Sequence, residues 1–154
     1  MSNEVYGFID FISPPNTPQE ICSEIVSRTG LGCFEISDSE LYGFPPSTCP
    51  SRTSFVFLIT DNPNSKNATY LVDYLDYSDE ARIGMPLRGK DRIKMLVRVI
   101  DLLFEMHSIL RVAIAITDSS QIEEIKEVKH QSMYDVLVSD CEKLAPPSIL
   151  YLVV

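Results

Sequence analysis

Apolar and polar positions along the chain change their period several times, and each change marks a predicted element. Val5 to Ile12 (VYGFIDFI) is apolar, aromatic and β-branched and stops at Ser13-Pro14-Pro15-Asn16, which predicts a strand followed by a turn. Thr17-Pro18-Gln19-Glu20 then puts Thr at an N-cap, Pro at the first helical position and Glu at the third. This is a capping box in which the missing proline N–H costs nothing. Ile21, Cys22, Ile25 and Val26 supply the apolar stripe of a helix over residues 18–29, and Gly30 stands just past its end, where a left-handed residue is wanted.

Cys33 to Ser37 reads as a short strand, and residues 38–53 turn to Pro, Ser, Gly and acidic residues, a long irregular loop. Ser54 to Thr60 (SFVFLIT) is apolar almost throughout, the pattern of a central strand covered on both faces. After the turn Asp61-Asn62-Pro63-Asn64, Thr69 to Tyr77 (TYLVDYLDY) alternates imperfectly and is expected to form a hairpin with the preceding strand. Ile93, Leu96, Val97, Ile100, Leu103 and Phe104 recur at spacings of three and four, which predicts the main core helix over 90–108. Arg111 to Thr117 (RVAIAIT) reads as a buried strand, and Asp118-Ser119-Ser120-Gln121 as the start of a helix carrying Ile122, Ile125 and Val128. Ser132 to Lys143 fits either a helix or a strand and a helix, and Pro146-Pro147 breaks the chain before the apolar Ile149 to Val154, which must be tied into a sheet. The expected class is α+β, with five or six strands in a mainly antiparallel or mixed sheet and three or four packed helices.

A length of 154 residues favours one globular domain over 1–154, and 45% hydrophobic with 23% charged residues excludes general disorder. Met1-Ser2-Asn3-Glu4 lacks a basic n-region and Asp10 splits the first apolar run, so a cytoplasmic protein is expected. Arg111 interrupts the stretch nearest to a membrane span, and none is expected. Asn67-Ala68-Thr69 matches a glycosylation acceptor but, without a secretion signal, reads as a chance tripeptide. Cys22, Cys33, Cys49 and Cys141 match neither a zinc spacing nor a CxxC pair. Cys22 and Cys33 are expected as small buried hydrophobes, and Cys49, in a Pro-rich loop, as exposed.

Charge sharpens the picture. Residues 1–81 carry Arg28, Arg52 and Lys66 against twelve carboxylates, net −9, whereas 82–98 carry six basic residues against Asp91, net +5. Residues 99–154 return to net −5, and the whole chain stands at −9. A field this lopsided steers association and rejects wrong partners without specifying a reaction. The basic stretch Arg82 to Lys90 fails the P-loop register, because Lys90 is followed by Asp91; it reads foremost as an internal salt-bridge partner for the acidic surface. With a pI near 4.6, a direct nucleic acid partner is not expected.

Catalytic and cofactor signatures are missing from the sequence. His107 and His130 each fall at the end of a predicted helix, where an imidazole caps the negative pole of the macrodipole. Asp73, Asp76, Asp79 and Glu80 offer hard oxygen ligands but no calcium-loop pattern, so no metal or cofactor is expected. The tyrosines interleaved with them favour a recognition surface, since tyrosine supplies rigid contact area with a polar tip.

In size, acidity, cytosolic character and lack of a catalytic motif, the chain resembles the immunity proteins that bacteria pair with contact-dependent or polymorphic toxins. The resemblance implies a tight complex with a cognate toxin domain, a nuclease-type toxin being the expected one, whose basic cleft an acidic surface would cover. The contacts expected are Glu35, Asp38, Glu40 and Tyr42 in the loop region, or Tyr74, Asp76, Tyr77, Asp79 and Glu80 after the hairpin. Two alternatives remain open. One is a small enzyme that uses Cys49 or the acidic cluster with a histidine; the other is a subunit of a larger assembly, to which the apolar C-terminal segment would add a strand.

Overall fold

Phe55–Thr60 is buried at every residue, and the sheet grows outward from it and its neighbours. The computed structural model describes residues 4–13, 17–41, 43–51, 53–66, 89–106, 108–116, 122–144 and 147–154. In chain order these hold β1 (Val5–Phe11), α1 (Pro18–Thr29), β2 (Gly32–Glu35), β3 (Phe55–Thr60), α2 (Gly89–Met106), β4 (Ile109–Ala115), β5 (Glu124–Val128), α3 (Met133–Lys143) and β6 (Ile149–Val153). The six strands form one mixed sheet in the order β2-β3-β1-β4-β6-β5. Every neighbouring pair is antiparallel except β5 and β6, which run parallel with α3 as the crossover. The architecture is therefore the α+β class expected.

The period-two alternation of the strands sorts their side chains onto two faces. Val5 and Ile9 of β1, Phe55, Phe57 and Ile59 of β3, Val112 and Ile114 of β4, and Tyr151 and Val153 of β6 share one buried cluster with residues of all three helices. Those helical residues include Ile21 and Ile25 of α1, Ile93, Leu96, Val99, Ile100 and Leu103 of α2, and Met133 and Leu137 of α3. Phe8, Val56, Ala113, Ala115 and Leu150 belong to a second cluster, together with Leu41 and Phe44 from the segment between β2 and β3.

Local signals explain α1 closely. Thr17 Oγ1 accepts a hydrogen bond from the Glu20 N–H at 3.3 Å, Pro18 opens the helix, and Gly30 closes it in the left-handed region at φ 75°. Gly7 has a different reason to be glycine: a Cβ there would collide with the Ala113 carbonyl oxygen of β4 and lie 2.8 Å from the Phe57 ring of β3.

Three expectations need correction. β3 is paired on both sides, by β1 and by β2, so its neighbours in the sheet are not those of the expected hairpin; the second arm, 69–77, lies outside the described residues. Residues 124–128 are a strand and not the helix expected around Ile122, Ile125 and Val128. Parallel pairing with β6 from Glu124–Ile149 to Val128–Val153 overrides the spacing of three, and Ile125 is 39% exposed rather than part of a buried stripe. Finally, the apolar Ile149–Val153 is an inner strand held by β4 and β5 of the same chain, so it is not free to add to another sheet in the way the assembly reading required. Ser132 to Lys143, readable in two ways from sequence, forms a 3₁₀ turn running into α3.

Candidate functional site

β2 is an edge of the sheet, and the chain leaves it through a segment that holds three exposed carboxylates. Glu35 is the last residue of β2, and Asp38 and Glu40 stand in the 3₁₀ turn Asp38–Leu41 that follows. Ser37 N–H donates to Glu40 Oε2 at 3.2 Å, Glu40 N–H donates to Ser37 O at 3.0 Å, and the Ser37 and Ser39 hydroxyls meet at 2.9 Å. Leu41 at 4% exposure and Phe44 at 6% pin the far side of the turn into the second core, with the Phe44 ring centroid 6.2 Å from that of Phe8. Apolar anchors thus hold an outward-facing acidic edge. Charges on an edge strand also oppose unwanted strand pairing, so the same residues serve solubility. Tyr42, Tyr74, Asp76, Tyr77, Asp79 and Glu80 lie outside the described residues, as do His107 and the basic stretch 82–88. Farther along α2, Lys94 approaches Asp91 at 4.0 Å and Arg98 approaches Glu105 at 3.4 Å, both on the surface.

Three polar clusters join residues far apart in sequence, and local spacing signals none of them. Asp10 accepts from Ser54 Oγ at 2.5 Å and from Arg111 Nε at 2.7 Å, tying β1 to β4 and to the residue before β3. Asp140, only 4% exposed, accepts from Lys126 Nζ on both carboxylate oxygens at 2.9 Å and from the buried Tyr151 hydroxyl at 2.9 Å. Burial raises the Tyr151 phenol well above its ordinary range, and the hydrogen bond to Asp140 adds to the effect. An open cavity of about 310 Å³ beside this cluster is lined by Glu123, Glu124, Lys126, Asp140, Lys143 and Ser148, among others. His130 is the third case and a correction: it does not cap a helix end but precedes α3, where Nε2 meets Asp101 Oδ1 of α2. In each cluster the carboxylate is already engaged by its neighbours, which fits cross-linking of the fold.

The cysteines divide by environment. Cys49 is exposed, and Cys141 is buried, its thiol pushed up to about 12 by that burial and by the charge of Asp140. Cys22 of α1 packs against the core cluster that contains Cys33 of β2, with Cys33 buried as expected and Cys22 only partly so. The neighbouring Cys33 thiol lowers the Cys22 thiol below its ordinary value, against the opposing effects of burial and the Glu35 charge, while Cys33 is raised by the Cys22 thiol and by burial.

Among the described residues, His, Cys, Asp and Glu form no group of three or more suited to a metal ion, and no helix is long and apolar enough to cross a membrane. Comparison with protein-family models, curated proteins and solved structures matched none of them to this chain.

Proposed function

We propose that this protein is a cytoplasmic immunity-type inhibitor that captures a cognate toxin domain and covers its cationic cleft, a nuclease-type toxin being the expected partner. The observation that carries the reading is the acidic edge: Glu35 at the end of β2 and Asp38 and Glu40 in the turn that follows are exposed, and Leu41 and Phe44 fix that turn underneath. A rigid display of this kind loses little conformational entropy on binding, and the net charge of −9 accelerates encounter with a basic surface. The polar clusters at Asp10, Asp101 and Asp140 are engaged within the fold, which favours a binding role over a reacting one.

The test is affinity capture from the native host with the tagged full-length protein, at low and moderate salt, with bound proteins identified by mass spectrometry. Recovery of one basic, toxin-like protein at one-to-one stoichiometry, whose toxicity the added protein abolishes, is the expected result. A monomeric protein that captures no partner at either salt concentration overturns the proposal.

A further inference from the structure

The sheet ends at β5 on the side away from β2, and among the described residues no strand pairs with the outer side of β5. Glu124 N–H donates to Ser148 O, Val128 O accepts from Val154 N–H, and His130 N–H donates to Val154 O, so the even positions turn their backbone groups toward β6. Because these groups alternate along a strand, the N–H and C=O of Ile125 and Glu127 point outward. The side chains alternate as well. Glu124 and Lys126 share the helix face with the buried Val128, and Lys126 reaches Asp140 of α3 there. Ile125 lies on the opposite face beside Leu150 and the partly buried Leu152, at the margin of the second cluster. Glu124, Ile125 and Glu127 are exposed.

We propose that the β5 edge is a self-association surface, at which a second copy of this chain adds its own β5 antiparallel and joins two six-stranded sheets into one. A twofold axis relating two such strands runs perpendicular to the sheet, so positions of the same parity stand opposite each other. Charge then selects the register. An axis at Lys126 brings two lysines together, and an axis at Glu124 or Glu127 brings two glutamates together. An axis at Val128 runs each strand into the 3₁₀ turn that starts at His130 of the other. With the axis at Ile125, Glu124 of each copy stands opposite Lys126 of the other, and the two Ile125 side chains cover one another between the flanking Leu152 side chains. Lys126 already donates to both oxygens of Asp140, and the third donor of its ammonium serves Glu124 of the other copy. Glu127 faces Glu123 of the other copy at each end of the ladder; both are exposed, so solvent screens that pair, and it limits affinity without excluding the register. β2, with its acidic residues, stays at both outer ends of the joined sheet, so this association leaves the proposed toxin surface uncovered and does not depend on that reading.

The experiment is sedimentation velocity on the full-length protein from about 5 μM to about 1 mM, where a monomer–dimer equilibrium with a dissociation constant of about 100 μM is expected of so small an interface. Glu124→Lys sets like charges opposite each other and should weaken the dimer at least about tenfold. Ile125→Pro removes an outward N–H and leaves the bonds to β6 in place, a position where an edge strand tolerates proline, and should be monomeric throughout. In a Cys49→Ser background, Ile125→Cys oxidised with copper–phenanthroline should link position 125 to position 125 of the second copy, whereas Glu127→Cys, which has no like position opposite it, should not. A wild-type protein that stays monomeric over the whole range, a dimer unchanged by Glu124→Lys, or cross-linking at position 127 in place of 125 overturns the proposal. Glu124 is exposed, so its variant decides the matter even if Ile125→Pro does not fold.

Discussion

His130 Nε2 lies 2.5 Å from Asp101 Oδ1, and the His130 ring stacks on Phe104 one turn further along α2, with centroids 4.5 Å apart and planes inclined by 15°. The His130 backbone N–H also donates to Val154 O at 2.8 Å, and Val154 N–H donates to Val128 O at 2.9 Å. One residue therefore ties α2 to the junction of β5, α3 and β6. His130→Ala should destabilise the fold by about 1–2 kcal/mol, combining one hydrogen bond with one ring contact. The pair is partly open to solvent, which keeps the value at the low end of what a charged partner would contribute. Urea denaturation of the single and double variants with Asp101→Ala measures it; additive losses would mean the two side chains do not act together.

Gly7→Ala tests the centre of the sheet. Gly7 pairs with Phe57 of β3 and Ile114 of β4, and the added methyl would meet the Ala113 carbonyl oxygen, which is backbone and cannot swing aside. A loss of about 3 kcal/mol is expected, at the upper end of overpacking costs. A denaturation midpoint equal to that of the wild type would show that β1 and β4 separate easily.

Asp140→Ala removes the shared acceptor of Lys126 and Tyr151 at once. The Tyr151 hydroxyl is then left buried without its partner, and Lys126 loses its carboxylate, for an expected cost of about 3 kcal/mol. Tyr151→Phe leaves Asp140 with both Lys126 contacts and should cost about 1 kcal/mol. A larger loss for Tyr151→Phe than for Asp140→Ala would reverse the assigned hierarchy.

Alkaline pH should weaken the fold through two buried acids. Cys141 is pushed up to about 12 from an ordinary 9.0, and Tyr151 is raised from 10.0, in both cases chiefly by burial. Raised values in the folded state mean that the protonated forms are favoured there. Their contribution is complete below the ordinary values and is lost as pH climbs above them, because the unfolded chain releases its protons first. Urea midpoints measured from about pH 8 to 11 should therefore fall progressively, and Tyr151→Phe should flatten the part of the fall above its ordinary range. A flat profile for the wild type would contradict the burial of both groups.

The contrast between α1 and β5 shows what was legible from sequence. Thr17, Pro18, Glu20 and Gly30 act on their own helix, so the bounds 18–29 were readable and agree with the structure. Glu124 to Val128 has no such local signal: Ile122, Ile125 and Val128 match a helical spacing, and the strand exists because β6 lies alongside it. The same distinction holds at the sites. Exposed carboxylates at Glu35, Asp38 and Glu40 followed from a polar loop, whereas the Asp101–His130 pair and the Lys126–Asp140–Tyr151 cluster arise only when separate elements pack together. No spacing rule reaches contacts of that kind.

Charge reversal at the acidic edge gives the most direct reading of the proposed interface. Glu35 and Asp38 are exposed, so Glu35→Lys with Asp38→Lys should leave stability nearly unchanged, and Glu40→Gln keeps an acceptor for the Ser37 N–H. Against the captured basic partner, this triple variant should associate about tenfold more slowly at low salt, because steering depends on the field at the contact surface. The difference should shrink toward physiological salt, where the Debye length is about 8 Å, while the wild-type on-rate falls toward that of the variant. Stopped-flow association at several ionic strengths separates the possibilities. A slower on-rate that salt erases places the β2 edge at the encounter surface; an unchanged on-rate at low salt removes Glu35, Asp38 and Glu40 from it and leaves Tyr74, Asp76, Tyr77, Asp79 and Glu80 as the residues to reverse next.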